Sequence, residues 1–459
     1  MGSPGLNAAR DKMIEAGVDE TAIETFAHYY RLLEAGETGM IPESSVEPLD
    51  MERLADVTVS DEDGAAALAK TAVIKLNGGL GTSMGMDRAK SLLCVRRGLS
   101  FLDIIARQVL HLRKEYDAPL PLIFMNSFRT SSDTLEALAR YEDLPVDGLP
   151  LEFLQNKEPK LLTRDLSPVS HPRDPELEWC PPGHGDLYTA LHGTRLIDRL
   201  IDAGYDRVFV SNSDNLGAVP DVRVAGWFAG SGAPFAIEAV PRTPSDRKGG
   251  HFVRRRSDGR IVLRETAQTL EEDAEAVADP DRHRFMSTNN LWFDLRAMKT
   301  ELERRGGILG LPLIRNVKHV DPSDPSTPEV IQIETAMGAA IEVFEGARTI
   351  EVTRARFVPV KTTNDLLLLR SDVYDLGKDF VLDQAGAEVP FIDLDDSYYK
   401  RMGEFDKRFP EGAPSLKEAK SLTVDGDWTF GEGVRVVGKV ALEADSAQRV
   451  APGTVLADG

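Results

Sequence analysis

Residues 75–92 read KLNGGLGTSMGMDRAKSL and follow the apolar run TAVI. A short apolar strand, a glycine-rich loop and then a basic residue make a turn able to hold phosphate at the end of a β-strand. The spacing fits neither common pattern. Gly79, Gly81 and Gly85 give G-x-G-x-x-x-G, one residue too long for the dinucleotide fingerprint. Gly85 to Ser91 gives G-x-x-x-A-K-S, one too short for a P-loop and with Ala89 in place of its second glycine. The glycines and Thr82 let backbone N–H groups approach an anion, and Lys90 supplies a mobile positive charge. A plain strand-to-helix turn has the same composition, so on the loop alone the two readings balance.

Outward from this loop, short apolar runs alternate with amphipathic helical stretches: TAVIKL, FLDIIARQVLHLRKEY, LPLIFM, SSDTLEALARYEDL, then RVFVSN, PFAIEAV, IQIETAMGAAIEVF and FVPV. Such alternation predicts βαβ units and a largely parallel sheet covered by helices. Ligands of such sheets bind at the carboxyl ends of strands, where the glycine-rich loop lies. The first fifty residues or so read as helical, from the spacing of Ile23, Phe26, Tyr29, Tyr30, Leu32 and Leu33. EVPFIDLDDSYYKRMGEFDKRFP reads as a helical connector. The tail from LTVDGDWTF to PGTVL has short Val/Leu-rich strands punctuated by Gly, which suits a small β-helix or, equally, a plain antiparallel cap. The expected domains are a helical segment at 1–70, an α/β domain at 71–376, and a connector with the β-rich tail at 377–459.

The chain's 459 residues can bury a sizeable core, and 42% hydrophobic with 28% charged residues is an ordinary globular composition. A net charge of -21 argues against nucleic acid as partner. Any phosphate site must therefore gather its own cations and backbone N–H groups. Cys94 and Cys180 cannot make a disulfide framework and form no C-x-x-C pair. Neither a membrane span nor a signal peptide is legible, so the expected location is the cytoplasm.

Three further stretches carry chemistry. In WCPPGHGDLYTALHGT (179–194), two prolines and two glycines constrain a turn that presents His184 before a helix capped by Asp186. In RVFVSNSDNLGA (207–218), an apolar strand runs into Asn212, Ser213 and Asp214. A carboxylate there can hold Mg²⁺ together with phosphate oxygens. Polar clusters follow: DRKGGHF with Lys248, LRETAQ with Glu265, FMSTNNLWF with Asn289 and Asn290, QIETAMGAA with Glu334, and FVPVKTTNDLLLL with Lys361. Asn and Glu suit sugar hydroxyls and Lys suits phosphate. Each alone is more simply a capped helix, an Asx turn or a solvated loop. Together they point to a nucleotide and a phosphorylated sugar.

These residues resemble the eukaryotic-type UTP-glucose-1-phosphate uridylyltransferases (UDP-glucose pyrophosphorylases). The likeness is carried by KLNGGLGTSMG with Lys90-Ser91, PPGHGDLY, SNSDNLGA, RKGGHF, ETAQ, TNNLW, IQIETAMGAAI and RFVPVKTTNDLLLLRSDVY, in that order from about 71 to 375, with GMIPESSVEPL before and LTVDGDWTFGEGV and PGTVL after. It implies a Rossmann-like, GT-A-like nucleotidyltransferase sheet and a C-terminal left-handed β-helix. It implies UMP transfer from UTP to glucose-1-phosphate with Mg²⁺, giving UDP-glucose and pyrophosphate. Carried over by position, Leu76, Asn77, Gly78 and Gly79 lie against the uridine, with Gly81 and Thr82 in the same nucleotide loop. Lys90 faces the UTP phosphates. Gln155 and Gly183 contact uracil, and His184 stands beside the nucleotide or sugar phosphate. Asp214 binds Mg²⁺ with Asn212 nearby. Gly250, Glu265, Asn289, Asn290 and Glu334 face the sugar, and Lys361 is the basic group on glucose-1-phosphate or the α-phosphate. Ala89 stands where the family usually has proline, Cys180 where it has an aromatic residue and Ser287 where it has Asn. Ser83 and Met84 replace the basic residue that N-acetylhexosamine and broad UDP-sugar enzymes of this fold tend to place after G-T, which favours glucose. A regulatory protein with a degenerate site is the rival from another class, disfavoured by intact Lys90, Asp214 and Lys361. The stretch ends soon after PGTVL, where many members continue, and the oligomeric state is left open.

Overall fold

The computed structural model describes residues 2–243, 246, 249–386 and 388–458. Lys248 of the RKGGHF stretch lies outside the described residues. An eleven-stranded mixed sheet organises the chain. Its strands are β1 Val46–Pro48, β2 Glu52–Arg53, β3 Thr71–Asn77, β4 Leu122–Asn126, β5 Glu152–Leu154, β6 Arg207–Asn212, β7 Phe235–Pro241, β8 His251–Arg255, β9 Ile261–Arg264, β10 Phe285–Asp294 and β11 Arg348–Glu351. The main path runs β2-β11-β7-β10-β6-β3-β4-β5, and β8 pairs with β1, β9 and β10. Strands β6, β3, β4 and β5 are mutually parallel, as are β2, β11 and β7. Only β10 runs antiparallel to both of its neighbours on that path, β6 and β7.

The alternation along β3 explains its central place. Val73 belongs to one core with Phe124, Phe209 and Trp292, while Ala72 and Ile74 belong to the other with Ile123, Met125, Val208 and Val210. Side chains two apart share a face, so a strand apolar at successive positions must be covered on both sides. Helix Phe101–Tyr116 covers one face and starts with a reciprocal Ser100–Asp103 capping box. Helix Asp186–Gly193 buries Leu187, Tyr188 and Leu191 on the other. The consequence for function is that the carboxyl ends of four adjacent parallel strands, β6-β3-β4-β5, open on one edge of the sheet.

Three expectations change. FVPV (357–360) forms no ladder strand: its Val358 N–H donates to Asn215 Oδ1 at 2.9 Å and its Val360 N–H to the Asp214 carbonyl at 3.0 Å, so its backbone bonds go to the loop after β6. Only the isolated bridge of Asn215 to Pro359 remains. IQIETAMGAAIEVF divides between strand Glu329–Glu334, which pairs outside the main sheet, and the 3₁₀ turns of Met337–Glu342. The connector begins with a strand, Phe391–Leu394, before its short helices. That strand joins Ser415–Asp425, Arg435–Glu443 and Val455–Ala457 through parallel pairings, and Trp428–Phe430 is parallel to Gln448–Val450. The pairings within the tail are thus parallel, not those of an antiparallel cap. Among the described residues no helix is long and apolar enough to cross a membrane.

Candidate functional site

The glycine-rich loop leaves β3 and is staked down at two points. Met84 and Ala89 are buried, and Gly81 and Gly85, with φ of 68° and 70°, bracket the single 3₁₀ turn between them. Those left-handed positions favour glycine. The Ala89 N–H donates to Asp133 Oδ2 at 3.3 Å, a bond that a proline at this position would forgo. Lys90 N–H returns to the Gly79 carbonyl at 3.1 Å, folding the loop so that its lysine faces the end of β6.

There Lys90 Nζ meets Asp214 Oδ2 at 2.9 Å and also donates to the Val360 carbonyl, while Lys361 Nζ reaches the same Asp214 oxygen at 3.2 Å. Residues far apart in sequence thus make one centre. Burial alone would raise the Asp214 carboxyl, but the charges of Lys361 and Lys90 outweigh it and hold the group below its ordinary value. Asp214 Oδ1 is buried and has no hydrogen-bond partner among the described residues. Among the described residues no group of three or more His, Cys, Asp or Glu could hold a metal ion. One half-satisfied carboxylate at a strand end fits a hard cation that arrives with phosphate oxygens, and does not fit an all-protein cage.

A cleft of about 290 Å³ adjoins this centre, lined by Leu76, Gly78, Gly79, Lys90, Met125, Gln155, Pro181, Gly183, His184, Asn212, Ser213 and Asp214. The structure therefore brings together most of the expected nucleotide-side residues. Thr82 lies on the loop's exposed turn, outside this lining. Asn77 is placed differently from expectation. Its side chain is buried, donating to Asn126 Oδ1 at 2.8 Å and Thr134 Oγ1 at 2.9 Å and accepting from Ser213 Oγ at 2.9 Å, so it ties strand ends together.

The ring of His184, presented by the turn before helix Asp186–Gly193, is half-buried. Its Nδ1 accepts the Met337 N–H at 2.9 Å, which leaves the proton of the neutral ring on Nε2. Burial, with the charge of Lys361, pushes its pKa down to about 4, so the neutral donor form persists at pH 7. Gly183 has φ 77°, and a Cβ there would stand 2.6 Å from the Thr335 carbonyl. Gly183→Ala is expected to cost about 1–3 kcal/mol of stability, measured by urea unfolding, because backbone and not a flexible side chain must yield.

The sugar-side candidates gather less tightly. Gly250 lies against Glu265, whose Oε1 would be 2.8 Å from an added Cβ, and the Gly250 carbonyl accepts the Ser287 N–H at 2.8 Å. Asn289 has φ 58° where the register of β10 against β7 shifts, a bulge that re-aims its side chain. Glu334 sits beside Gly183 and accepts from Asn316 Nδ2 at 2.8 Å. Asn290 turns away: it is fully buried and donates to Glu238 Oε2 at 3.0 Å. Burial pushes the Glu265 carboxyl up to about 7.

Supporting residues escaped the sequence reading. Asn215 accepts from Val358 N–H and donates to the Arg356 carbonyl at 3.1 Å, fastening the Lys361 segment to the Asp214 loop. Arg356 and Glu238 form a buried two-pronged pair at 2.6 Å, beneath the same segment. Lys75 is buried, donating to Ser211 Oγ at 2.7 Å and the Ala218 carbonyl at 2.6 Å. Its one sequence signal is a lysine inside the apolar run TAVIKL.

Among known proteins, the chain matches a family model described as UTP-glucose-1-phosphate uridylyltransferase over residues 23–437. It is 38% identical over 390 residues to a protein of that name from Hordeum vulgare, covering 84% of this chain and 80% of the relative. With the relative of the same name from Solanum tuberosum it shares 36% identity over 414 residues, 89% of this chain and 84% of the relative. Its structure is similar to that of the UDP-glucose pyrophosphorylase from Leishmania major, at 41% identity and a TM-score of 0.94, covering 100% of this chain and 99% of the other. Variants of that protein have been solved in complex with UDP-glucose. A UDP-glucose phosphorylase from Trypanosoma brucei matches at 38% identity with a TM-score of 0.92, covering 100% of both chains.

Proposed function

The chain belongs to the UTP-glucose-1-phosphate uridylyltransferase family, and on that premise we propose that it transfers UMP from UTP to glucose-1-phosphate, giving UDP-glucose and pyrophosphate. The observation that carries the reading is the centre in which Lys90 and Lys361 converge on Asp214 at the mouth of a cleft lined by a glycine-rich loop. Leu76, Gly78, Gly79, Gln155 and Gly183 hold the uridine, Lys90 and His184 meet phosphate, and Gly250, Glu265, Asn289 and Glu334 form the sugar side. Asn77 and Asn290 act from within the sheet as supports. The expected units are 1–70, 71–376 and 377–459, and the parallel pairings of the tail support reading it as a left-handed β-helix. The location is the cytoplasm.

The mechanism follows from charge. An oxygen of glucose-1-phosphate is already ionised at neutral pH and attacks the α-phosphorus of UTP in line, so the new P–O bond forms as the bond to pyrophosphate breaks. No general base is required. What is required is alignment and relief of repulsion between two polyanions on a chain of charge -21. Lys90 and Lys361 share one counter-ion, Asp214. When phosphates enter, Lys90 and Lys361 turn to them, and the neutral His184 adds an Nε2–H donor. Mg²⁺ held by Asp214 would supply Lewis-acid stabilisation of the phosphate charge.

The test is pyrophosphate release from UTP and Mg²⁺ with a panel of sugar-1-phosphates. Release with glucose-1-phosphate well above the others is expected; release only with an N-acetylated sugar would overturn the substrate assignment. A second expectation concerns pH. With a pKa of about 7, Glu265 is half protonated at neutrality and becomes the better acceptor for a sugar hydroxyl as pH rises. KM for glucose-1-phosphate should therefore fall severalfold between pH 6 and 8 relative to Glu265→Gln, measured at saturating UTP.

A further inference from the structure

Asp186 reads in the sequence as a helix cap, but the structure gives it other work. Gly185 is the N-cap of helix Asp186–Gly193 and no side chain caps that end. The Asp186 carboxylate, 4% exposed, instead accepts two bonds from one residue: Asn156 N–H at 2.6 Å and Asn156 Nδ2 at 2.8 Å. Asn156 directly follows Gln155, whose carboxamide lies against Gly78 of the glycine-rich loop and whose N–H donates to the Asn126 carbonyl at 2.8 Å. Asp186 itself follows Gly183 and His184 by a few residues. Two rails of chain, 155–159 and 179–186, are thus pinned to each other. At one end Glu158–Pro159 pairs with Trp179–Cys180, and at the other Asp186 holds Asn156. On the outer side, Lys157 Nζ lies 4.6 Å from the Trp179 ring centroid and 5.7 Å from that of Phe128.

We propose that Asp186 is a positioning residue for nucleobase recognition: its two bonds to Asn156 fix the spacing between Gln155 and Gly183 and so restrict the slot to a uracil-type pyrimidine. The inference rests on the reading that Gln155 and Gly183 contact the base. The Gln155 carboxamide can turn over about its last side-chain bond, so discrimination between uracil and cytosine, whose N3 and C4 substituents have opposite donor and acceptor character, falls on the fixed backbone groups of Gly183 and on the distance at which they are held from Gln155. Burial pushes the Asp186 carboxyl up to about 6, which still leaves it ionised and a double acceptor at pH 7.5.

The experiment is steady-state kinetics of the full chain with UTP and CTP, for wild type, Gln155→Ala, Asp186→Asn, Asn156→Ala and the double variant Asp186→Asn/Asn156→Ala. Asp186→Asn should raise KM for UTP about tenfold and narrow the UTP-to-CTP ratio of kcat/KM, with kcat and KM for glucose-1-phosphate within about threefold. The double variant should be no worse than the more impaired single one, because both remove the same contact. A merely structural role would lower the unfolding temperature and the amount of active enzyme without this split between the two substrates. If Gln155→Ala raises KM for UTP while Asp186→Asn and Asn156→Ala leave it and the nucleotide ratio unchanged, the positioning role is overturned and the base contact stands. If Gln155→Ala has no effect on either, the base contact fails and the inference with it. Asn156→Ala removes only the side-chain bond and supplies the same readout should Asp186→Asn fail to fold.

Discussion

Lys90→Ala is expected to lower kcat by about two to three orders of magnitude while leaving the fold intact. The lysine ends a loop held independently by buried Met84 and Ala89, so truncation of its mostly buried side chain removes a charge and two contacts but leaves the loop's own anchors in place. Its partners are Asp214 Oδ2 and the Val360 carbonyl. During transfer, negative charge builds on the oxygens around the α-phosphorus and on the departing pyrophosphate. A positioned cation stabilises that state more than the ground state, so the loss falls on kcat more than on KM. Lys90→Arg should recover only part of the activity, since a planar guanidinium does not reproduce the point charge of an ammonium group. Rapid-quench measurement of UDP-glucose formation separates this loss from slow product release.

Asp214→Ala is expected to be at least as severe, with kcat lowered about a thousandfold. Here two effects add. The carboxylate that suits the divalent cation is gone, and the two lysines lose the anion that keeps them together before substrate arrives. Asp214→Asn should keep the loop conformation, because Asn215 and the Asp214 backbone carbonyl secure it to 356–360 independently. Its activity should nevertheless remain close to that of the alanine variant, and Mn²⁺ affinity in the presence of UTP, read by electron paramagnetic resonance, should fall with it. Retained Mn²⁺ affinity in Asp214→Asn would remove this residue from the metal site.

The centre was largely legible in the sequence because phosphate chemistry leaves strong local marks: glycines where backbone must approach, a lysine after them, and an Asp where a strand ends. Lys90 and Asp214 are 124 positions apart, and Lys361 and Asp214 are 147 apart. No periodicity could join them, and the family resemblance supplied their association. Residues that act through other residues were not legible. Asn215 looks like one more polar residue in an Asx-rich turn, and Lys75 like an accident in an apolar run. Asp186 looks like a cap because carboxylates favour helix N-termini, yet here a tertiary contact to Asn156 outweighs that local preference. FVPV misled for the same reason. Its two valines favour a strand, but its backbone bonds are taken by the loop carrying Asp214. Asn290, inside TNNLW, carries a sugar-like signal that burial redirects to Glu238.

Under the proposed mechanism the sugar phosphate displaces pyrophosphate directly, with no covalent enzyme intermediate. In the described cleft His184 Nδ1 is occupied by the Met337 N–H, and Ser213 Oγ donates to the amide oxygen Asn77 Oδ1, which is no general base. The measurement is incorporation of labelled pyrophosphate into UTP by the wild-type chain with Mg²⁺, with and without UDP-glucose. Label entering UTP only when UDP-glucose is present is the predicted result; exchange in the absence of any sugar compound would show a uridylyl-enzyme and contradict the mechanism.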